Sequence, residues 1–306
     1  MANRWWVYQR ERFPILGHGL LIVAFSTSAI SYSSLLRGPA ELPSVAAATV
    51  AFLSAFLSFF QLRLADEFKD FDEDSRYRPY RPVPRGLIKL RELGWVWAGS
   101  AFLQLLLALL LKPQLAALLL VVWVYLSLMS KEFFVRNWLK AHPFTYMWTH
   151  MFIMPIVDFY TTACDWLVKV GRPPSGLMWF LLVSFFNGMV IEIGRKIRSP
   201  HDEEAGVETY SFLWGRAGAV SVWLAAMVAT AVCAWLAAGR IGFGRPVHWL
   251  LGLLLITAAT VGLLFLRNPK AGRGKWFEAM SGVWSLLMYF SLGAIPLVLR
   301  HFGARI

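Results

Sequence analysis

The chain has 306 residues, 58% of them hydrophobic and only 16% charged, with a mean hydropathy of +0.54 and a formal net charge of +12. A soluble domain carries roughly 45–50% apolar and about 25% charged residues, so a soluble globular enzyme, a disordered chain and a coiled coil are excluded. What is left is an all-α, polytopic membrane protein. Its two cysteines, Cys164 and Cys233, are too few for a disulfide framework or a metal cluster and read as small apolar residues.

Stretches apolar and long enough to cross about 30 Å of hydrocarbon run at residues 15–36, 44–64, 93–111, 114–131, 143–163, 175–194, 217–238, 247–266 and 280–299. The expected architecture is therefore nine transmembrane helices in one bundle around a central cavity, a single domain over residues 1–306. The first stretch is too long for a cleaved signal and lacks a small-residue cleavage site. With the N-terminus inside, 22 of the 30 Lys and Arg residues fall on the cytoplasmic side. Nine spans and a cytoplasmic N-terminus explain that alternation together. Basic inner loops beside anionic lipid account for the net charge, and no soluble basic domain is present to hold nucleic acid. Usage rich in Ala, Leu, Trp and Arg points to a bacterial inner membrane, while oligomeric state has no readable signature.

The second span runs into an acidic segment. Six of the nine residues 66–74 are acidic: Asp66, Glu67, Asp70, Asp72, Glu73 and Asp74. At 100° per residue, five of them share an arc of about 120° if the helix persists, and Asp72 points away. Like charges at about 4 Å repel by roughly 4 kcal/mol at an effective dielectric near 20. One reading is a solvated helix end neutralised by Arg63, Lys69 and the arginines that follow. The other is a divalent cation; Mg²⁺ takes oxygen ligands and is usually shared between carboxylates and a substrate phosphate. The i, i+4, i+8 spacing of Asp66, Asp70 and Asp74 and their place at the membrane edge favour the cation.

Arg78-Pro79-Tyr80-Arg81-Pro82-Val83-Pro84-Arg85-Gly86 comes next. Its prolines and glycine forbid helix and set a fixed turn. Guanidinium groups such as Arg78 and Arg81 suit phosphate oxygens, although an ordinary basic inner loop has the same composition.

The sixth span ends in a second acidic segment holding Glu192, Asp202, Glu203, Glu204 and Glu208. Glu192 and Lys196 stand at i, i+4 in the favourable order. Ser199-Pro200 can open a short helix with Ser199 as N-cap, in which case Asp202 and Glu203 complement its dipole. Asn187 and Glu192, polar groups near the inner end of a span, are expected to face the bundle interior. In the fifth span His150, one turn after Tyr146, and Asp158 are candidates for a chemical role, with a wet position near the outer face as the other reading of Asp158, and His18 in the first span is a weaker candidate.

With these residues in hand, the chain resembles the UbiA superfamily of intramembrane prenyltransferases. That family's first motif reads N-D-x-x-D-x-x-x-D before an R-P-x-P-like turn; here Asp66-Glu67-Phe68-Lys69-Asp70-Phe71-Asp72-Glu73-Asp74 precedes Arg81-Pro82-Val83-Pro84-Arg85-Gly86. The last two aspartates match outright and the first two positions differ in type. The second motif departs from the family's D-x-x-x-D, because Lys196 stands where a partner acid is expected. Gly206-Val207-Glu208-Thr209 after Asp202 fits the family's ending. Tyr125 and Lys131 after the fourth span are similar in placement to a tyrosine and basic residue of the family.

The resemblance implies Mg²⁺-dependent transfer of a prenyl group from an isoprenoid diphosphate to an aromatic or lipid-like acceptor, a small molecule or lipid. Asp66, Glu67, Asp70 and Asp74 would be catalytic and would hold the metal with Glu192 and Asp202. Arg78, Arg81, Lys131, Lys196 and Arg198 would bind diphosphate, and Asn187, Tyr125, His150 and Tyr146 would line the pocket. Aromatic faces suit the allylic cation such a reaction generates. A terpene cyclase of the same superfamily would use the same ionisation without an acceptor. A transporter or ion-binding protein would instead carry its acids at mid-membrane on broken helices.

Overall fold

The computed structural model describes residues 3–38 and 42–303; residues 39–41 and both ends of the expected 1–306 domain, with Arg305, lie outside the described residues. Among the described residues there is helix and no strand. A short polar helix, α1 (Arg4–Arg12), precedes the spans and starts where the Asn3 side chain accepts the Trp5 amide at 3.0 Å. α2 (Ile15–Arg37), α3 (Val45–Lys69), α4 (Phe71–Tyr77), α5 (Leu90–Leu111) and α6 (Leu115–Ser130) follow. A turn at Glu132–Phe134 leads to α7 (Arg136–Ala141), α8 (Pro143–Met151), α9 (Ile153–Lys169) and α10 (Leu177–Gly194). The chain closes with α11 (Tyr210–Arg240), α12 (Gly244–Arg267), α13 (Lys275–Leu292) and α14 (Ala294–His301).

Eight of these helical stretches, counting Pro143–Lys169 and Lys275–His301 as one each, are long and apolar enough to cross a membrane, and the 16-residue α6 is a shorter ninth. All nine overlap the expected stretches. α3 runs past its expected end to Lys69 and so carries Asp66 on regular helix, and α9 runs past its own to Lys169. α11 also starts early, but Gly215 (φ 70°, ψ 159°) breaks it, so the residues before that glycine form a separate turn.

α2 is the central helix, packed by α3, α9, α10, α13 and α14. It buries Ser26, Ser28, Ser31, Ser33 and Ser34, small residues that let neighbouring backbones come close in lipid, where packing replaces the hydrophobic drive. At its C-terminal end Arg37 lies 2.8 Å from Asp165 of α9, which also accepts from Ser33 at 2.7 Å. Asp158, two turns earlier on α9, is fully buried. α3 and α10, whose inner ends carry the acidic segments, are both packed against α2 and α9.

A second, smaller core lies at the end of the bundle that carries the first acidic segment. Tyr8, Leu64, Val83, Ile88 and Leu93 join α1, the end of α3, the proline loop and the start of α5. It fixes the loop that the sequence reads as rigid.

Candidate active site

The inner end of α3 sorts its acids by helical angle. Backbone bonds continue across the junction with α4 (Asp70 amide to Asp66 carbonyl 2.9 Å, Asp74 amide to Asp70 carbonyl 2.8 Å), while Asp70 at φ −98°, ψ 6° bends the axis. The helix thus persists through the acidic segment, but its carboxylates do not share one arc. Glu67, about 100° from Asp66, turns to α1 and is buried against Arg12. Asp74 is buried with Arg78 2.9 Å away and is gripped also by Arg81. Glu73 pairs with Arg136 at 3.1 Å and with Lys140, whose ammonium holds its carboxyl below the usual range. Asp72 is exposed, as expected.

Asp66 and Asp70 are left. The nearest cations to Asp66 are Arg63 at 3.5 Å and Lys69 at 3.9 Å, both longer than a direct hydrogen bond. Burial, opposed by Lys69, and the charges of Asp66, Asp74 and Glu73 push the Asp70 carboxyl above its ordinary value. Two carboxylates with oxygen atoms to give are the protein's usual share of a Mg²⁺ shell, the rest coming from phosphate and water. Among the described residues no group of three or more His, Cys, Asp or Glu side chains is arranged to hold a metal. The residues present therefore fit a cation that completes its shell with substrate, through Asp66 and Asp70. The expected ligands Glu67 and Asp74 are committed to arginines instead.

Across from α3, the end of α10 presents Glu192, largely buried, with Arg195 at 2.6 Å and Lys196 at 2.9 Å. Arg195 is the basic residue the sequence reading passed over, and its signal was the i, i+3 spacing from Glu192. Lys196 also lies over the Tyr210 ring at 5.5 Å. Arg195 feels the charge of Asp66, and His150 that of both Asp66 and Glu192, so the two helix ends face one site. Glu192 is saturated by its two basic neighbours, which makes this side of the site net positive.

Asp202 is not part of that site. Ser199 stands at the N-cap position of a single 3₁₀ turn, Pro200–Asp202, as the sequence suggests, but its side chain makes no capping bond to the turn's backbone. The Asp202 carboxylate accepts from the Ser199 hydroxyl at 2.6 Å and the Gly272 amide at 2.7 Å, bonds that hold its carboxyl below the usual range. It ties two inner loops together. Glu203 binds the Thr209 hydroxyl at 2.7 Å. Arg198 is half-buried, and its amide donates to Ser211 at 2.6 Å. Gly206, at φ 75°, lets this loop press on the Tyr77 ring so closely that a Cβ there would collide with it. Tyr80 reaches Glu204 at 3.3 Å. The loops that follow the two acidic segments are thus docked on one another.

The fifth span supplies the wall. Lys69 donates to the Tyr146 hydroxyl at 2.9 Å, and the Tyr146 ring stacks on His150 at 3.9 Å with 15° between planes. Asn187, buried at mid-depth on α10, accepts from Ser285 at 3.1 Å. Tyr125 donates its hydroxyl to the Thr149 carbonyl at 2.6 Å and packs on Phe133 and Phe152. Lys131, expected on the diphosphate, is exposed on a shallow groove along α6 with Trp123, Ser127 and Phe134. The cause is local: Glu132, Phe133 and Phe134 all have positive φ (48°, 52°, 61°), a left-handed turn that sends Glu132 inward and leaves Lys131 outside.

Known proteins bear on this arrangement. The model of the UbiA prenyltransferase family matches residues 20–299. The apo structure of a UbiA homologue from Aeropyrum pernix K1 superposes with a TM-score of 0.69 at 15% identity, covering 90% of this chain and 96% of that one. A digeranylgeranylglyceryl phosphate synthase gives 0.62 at 17% identity, covering 95% and 99%. A UbiA homologue from Archaeoglobus fulgidus bound to DMAPP and Mg²⁺ gives 0.54 at 13%, covering 92% and 99%. No curated protein sequence matches this chain. The matched family model spans nearly the whole bundle, and the chain belongs to the UbiA prenyltransferase family.

Proposed function

We propose that this intramembrane prenyltransferase moves a prenyl group from an isoprenoid diphosphate to an aromatic or lipid-like acceptor at the inner rim of the bundle. The observation that carries the reading is two carboxylates held by no direct hydrogen bond to a cation, Asp66 and Asp70, with Arg63 and Lys69 beside them on α3 and Arg195 and Lys196 at the end of α10. When bound there, Mg²⁺ supplies Lewis-acid neutralisation of diphosphate charge. Asp66 and Asp70 would hold that cation. Lys196 and Arg195 donate to the remaining phosphate oxygens, exchanging part of their contact with Glu192 for the ligand. Arg78 and Arg81 act through Asp74, keeping the proline loop closed over the inner end of α3. The aromatic faces of Tyr146 and Phe133 suit the allylic cation left when the diphosphate departs. The N-terminus lies in the cytoplasm, so the diphosphate enters from that side, as expected in a bacterial inner membrane.

The test is purified protein with Mg²⁺ and a series of isoprenoid diphosphates, with diphosphate release measured and products read by mass. Release that requires Mg²⁺ supports the reading, and no release with any donor would overturn it. Cyclised hydrocarbon formed without acceptor would assign the ring-closing version of the chemistry instead.

A further inference from the structure

His150, on the wall of the site, keeps one buried ring nitrogen without a hydrogen-bond partner. Its Nδ1 lies 2.8 Å from the Tyr146 carbonyl. A carbonyl only accepts, so Nδ1 carries the proton and Nε2 presents a lone pair. That Nε2 is buried and has no hydrogen-bond partner. A buried acceptor left unmade costs roughly 1–3 kcal/mol, so the fold retains it against a penalty.

The ring is held on three sides. Tyr146 stacks on one face, the Phe133 ring meets it edge-on at 6.1 Å and Thr149 lies beside Nδ1 at 3.5 Å. Phe133 is placed there by the left-handed turn at Glu132–Phe134, a strained conformation for non-glycine residues, and the buried Glu132, 3.2 Å from Arg136, braces that turn. The charges acting on the imidazole are Lys69, Glu192 and Asp66, the groups of both acidic helix ends.

We infer that His150 Nε2 is the base that takes the proton released in the reaction, an inference that rests on the prenyl-transfer reading above. In the transfer, the C1–oxygen bond of the donor breaks and its electron pair leaves on the diphosphate. A bond forms between C1 and the nucleophilic atom of the acceptor, and the proton lost from that atom passes to Nε2. The acceptor is accordingly a molecule whose attacking atom carries, or acquires on attack, a removable proton: a hydroxyl or an aromatic carbon. Without an acceptor the same base can remove a proton from the carbon next to the allylic cation, giving a diene. Water capture of that cation gives an alcohol and returns its proton to solvent.

That partition supplies the experiment. Wild-type protein, His150→Gln and His150→Phe are incubated with Mg²⁺ and, in turn, dimethylallyl, geranyl, farnesyl and geranylgeranyl diphosphate, without acceptor. Diphosphate release and the diene-to-alcohol ratio are both measured. The expected result in both variants is a diene yield per diphosphate released that is lower by about a hundredfold, the low end of a general base's contribution. An unchanged ratio in both variants overturns the inference, as does a wild type that yields alcohol alone. Release lost in step with diene in both variants assigns His150 to folding or donor binding and overturns it too. A wild type that releases no diphosphate from any donor overturns the underlying reading, and the inference with it.

Discussion

Asp70 carries the sharpest consequences of a single side chain. Its folded pKa is raised by burial and by Asp66, Asp74 and Glu73 against the pull of Lys69. A carboxyl raised in this way adds stability below its unfolded pKa and loses it as pH rises through the folded value. At neutral pH the ionised group therefore costs stability in the absence of metal. Asp70→Asn is expected to keep or raise the Tm at neutral pH, and its difference from wild type should shrink on acidification; a Tm that falls at pH 7 would mean the carboxylate is a structural partner. The same substitution, like Asp66→Asn, should lower Mg²⁺-dependent diphosphate release by at least about a hundredfold, the scale of losing one preorganised charge contact. Lys131→Ala should leave release within about twofold, since its side chain stands outside the site, and the three rates measured side by side check the assignment. The i, i+4 pair Asp66 and Asp70 was legible in the sequence because helical angle alone puts both on one face. Asp74 with Arg78, at i, i+4, and with Arg81 was open in the sequence as the reading in which the following arginines neutralise the acids, whereas Glu67 with Arg12 of α1 and the way the proline loop is seated were not. Their approach depends on a small core that no local pattern encodes.

At the level of elements, α1 shows how such a partner is brought in. The sequence reading places no helix before the first span, and the structure seats one against α3 through Tyr8 and the buried Arg12–Glu67 pair, with side chains 8% and 1% exposed. Removing one member of a buried pair typically costs about 3–5 kcal/mol, whereas replacing both by apolar groups costs much less. Equilibrium unfolding of Arg12→Leu, Glu67→Leu and the double variant should show that pattern, with the double variant the most stable of the three; additive losses would contradict it. The docked loops make a second case. Gly206→Ala combines a left-handed backbone with a collision against Tyr77 and should cost about 1–3 kcal/mol. Limited proteolysis should then cut more readily within residues 77–86, and an unchanged digest would show that the two loops hold together without this contact. Each span was visible as a long apolar run. The contacts between inner loops were not, because Tyr77 with Gly206 and Asp202 with Gly272 join residues far apart in the chain.

For the whole molecule, the fold stands on helix packing around α2 and on ion pairs internal to the chain, while the two carboxylates suited to a cation sit at its edge. Chelation of divalent metal should therefore abolish turnover and shift the Tm of the substrate-free protein by no more than a degree or two; unfolding on chelation would make the ion a structural element. One further property follows from α6. At 1.5 Å per residue its 16 residues rise about 24 Å, several ångströms less than a typical hydrocarbon slab of about 30 Å. The bilayer beside it thins to match, and mismatch costs fractions of a kcal/mol per ångström. This flank then becomes the place where headgroups dip deepest toward the bundle. Reconstitution into bilayers of progressively longer acyl chains should slow the enzyme, and lengthening α6 by one turn should move its optimum to thicker membranes.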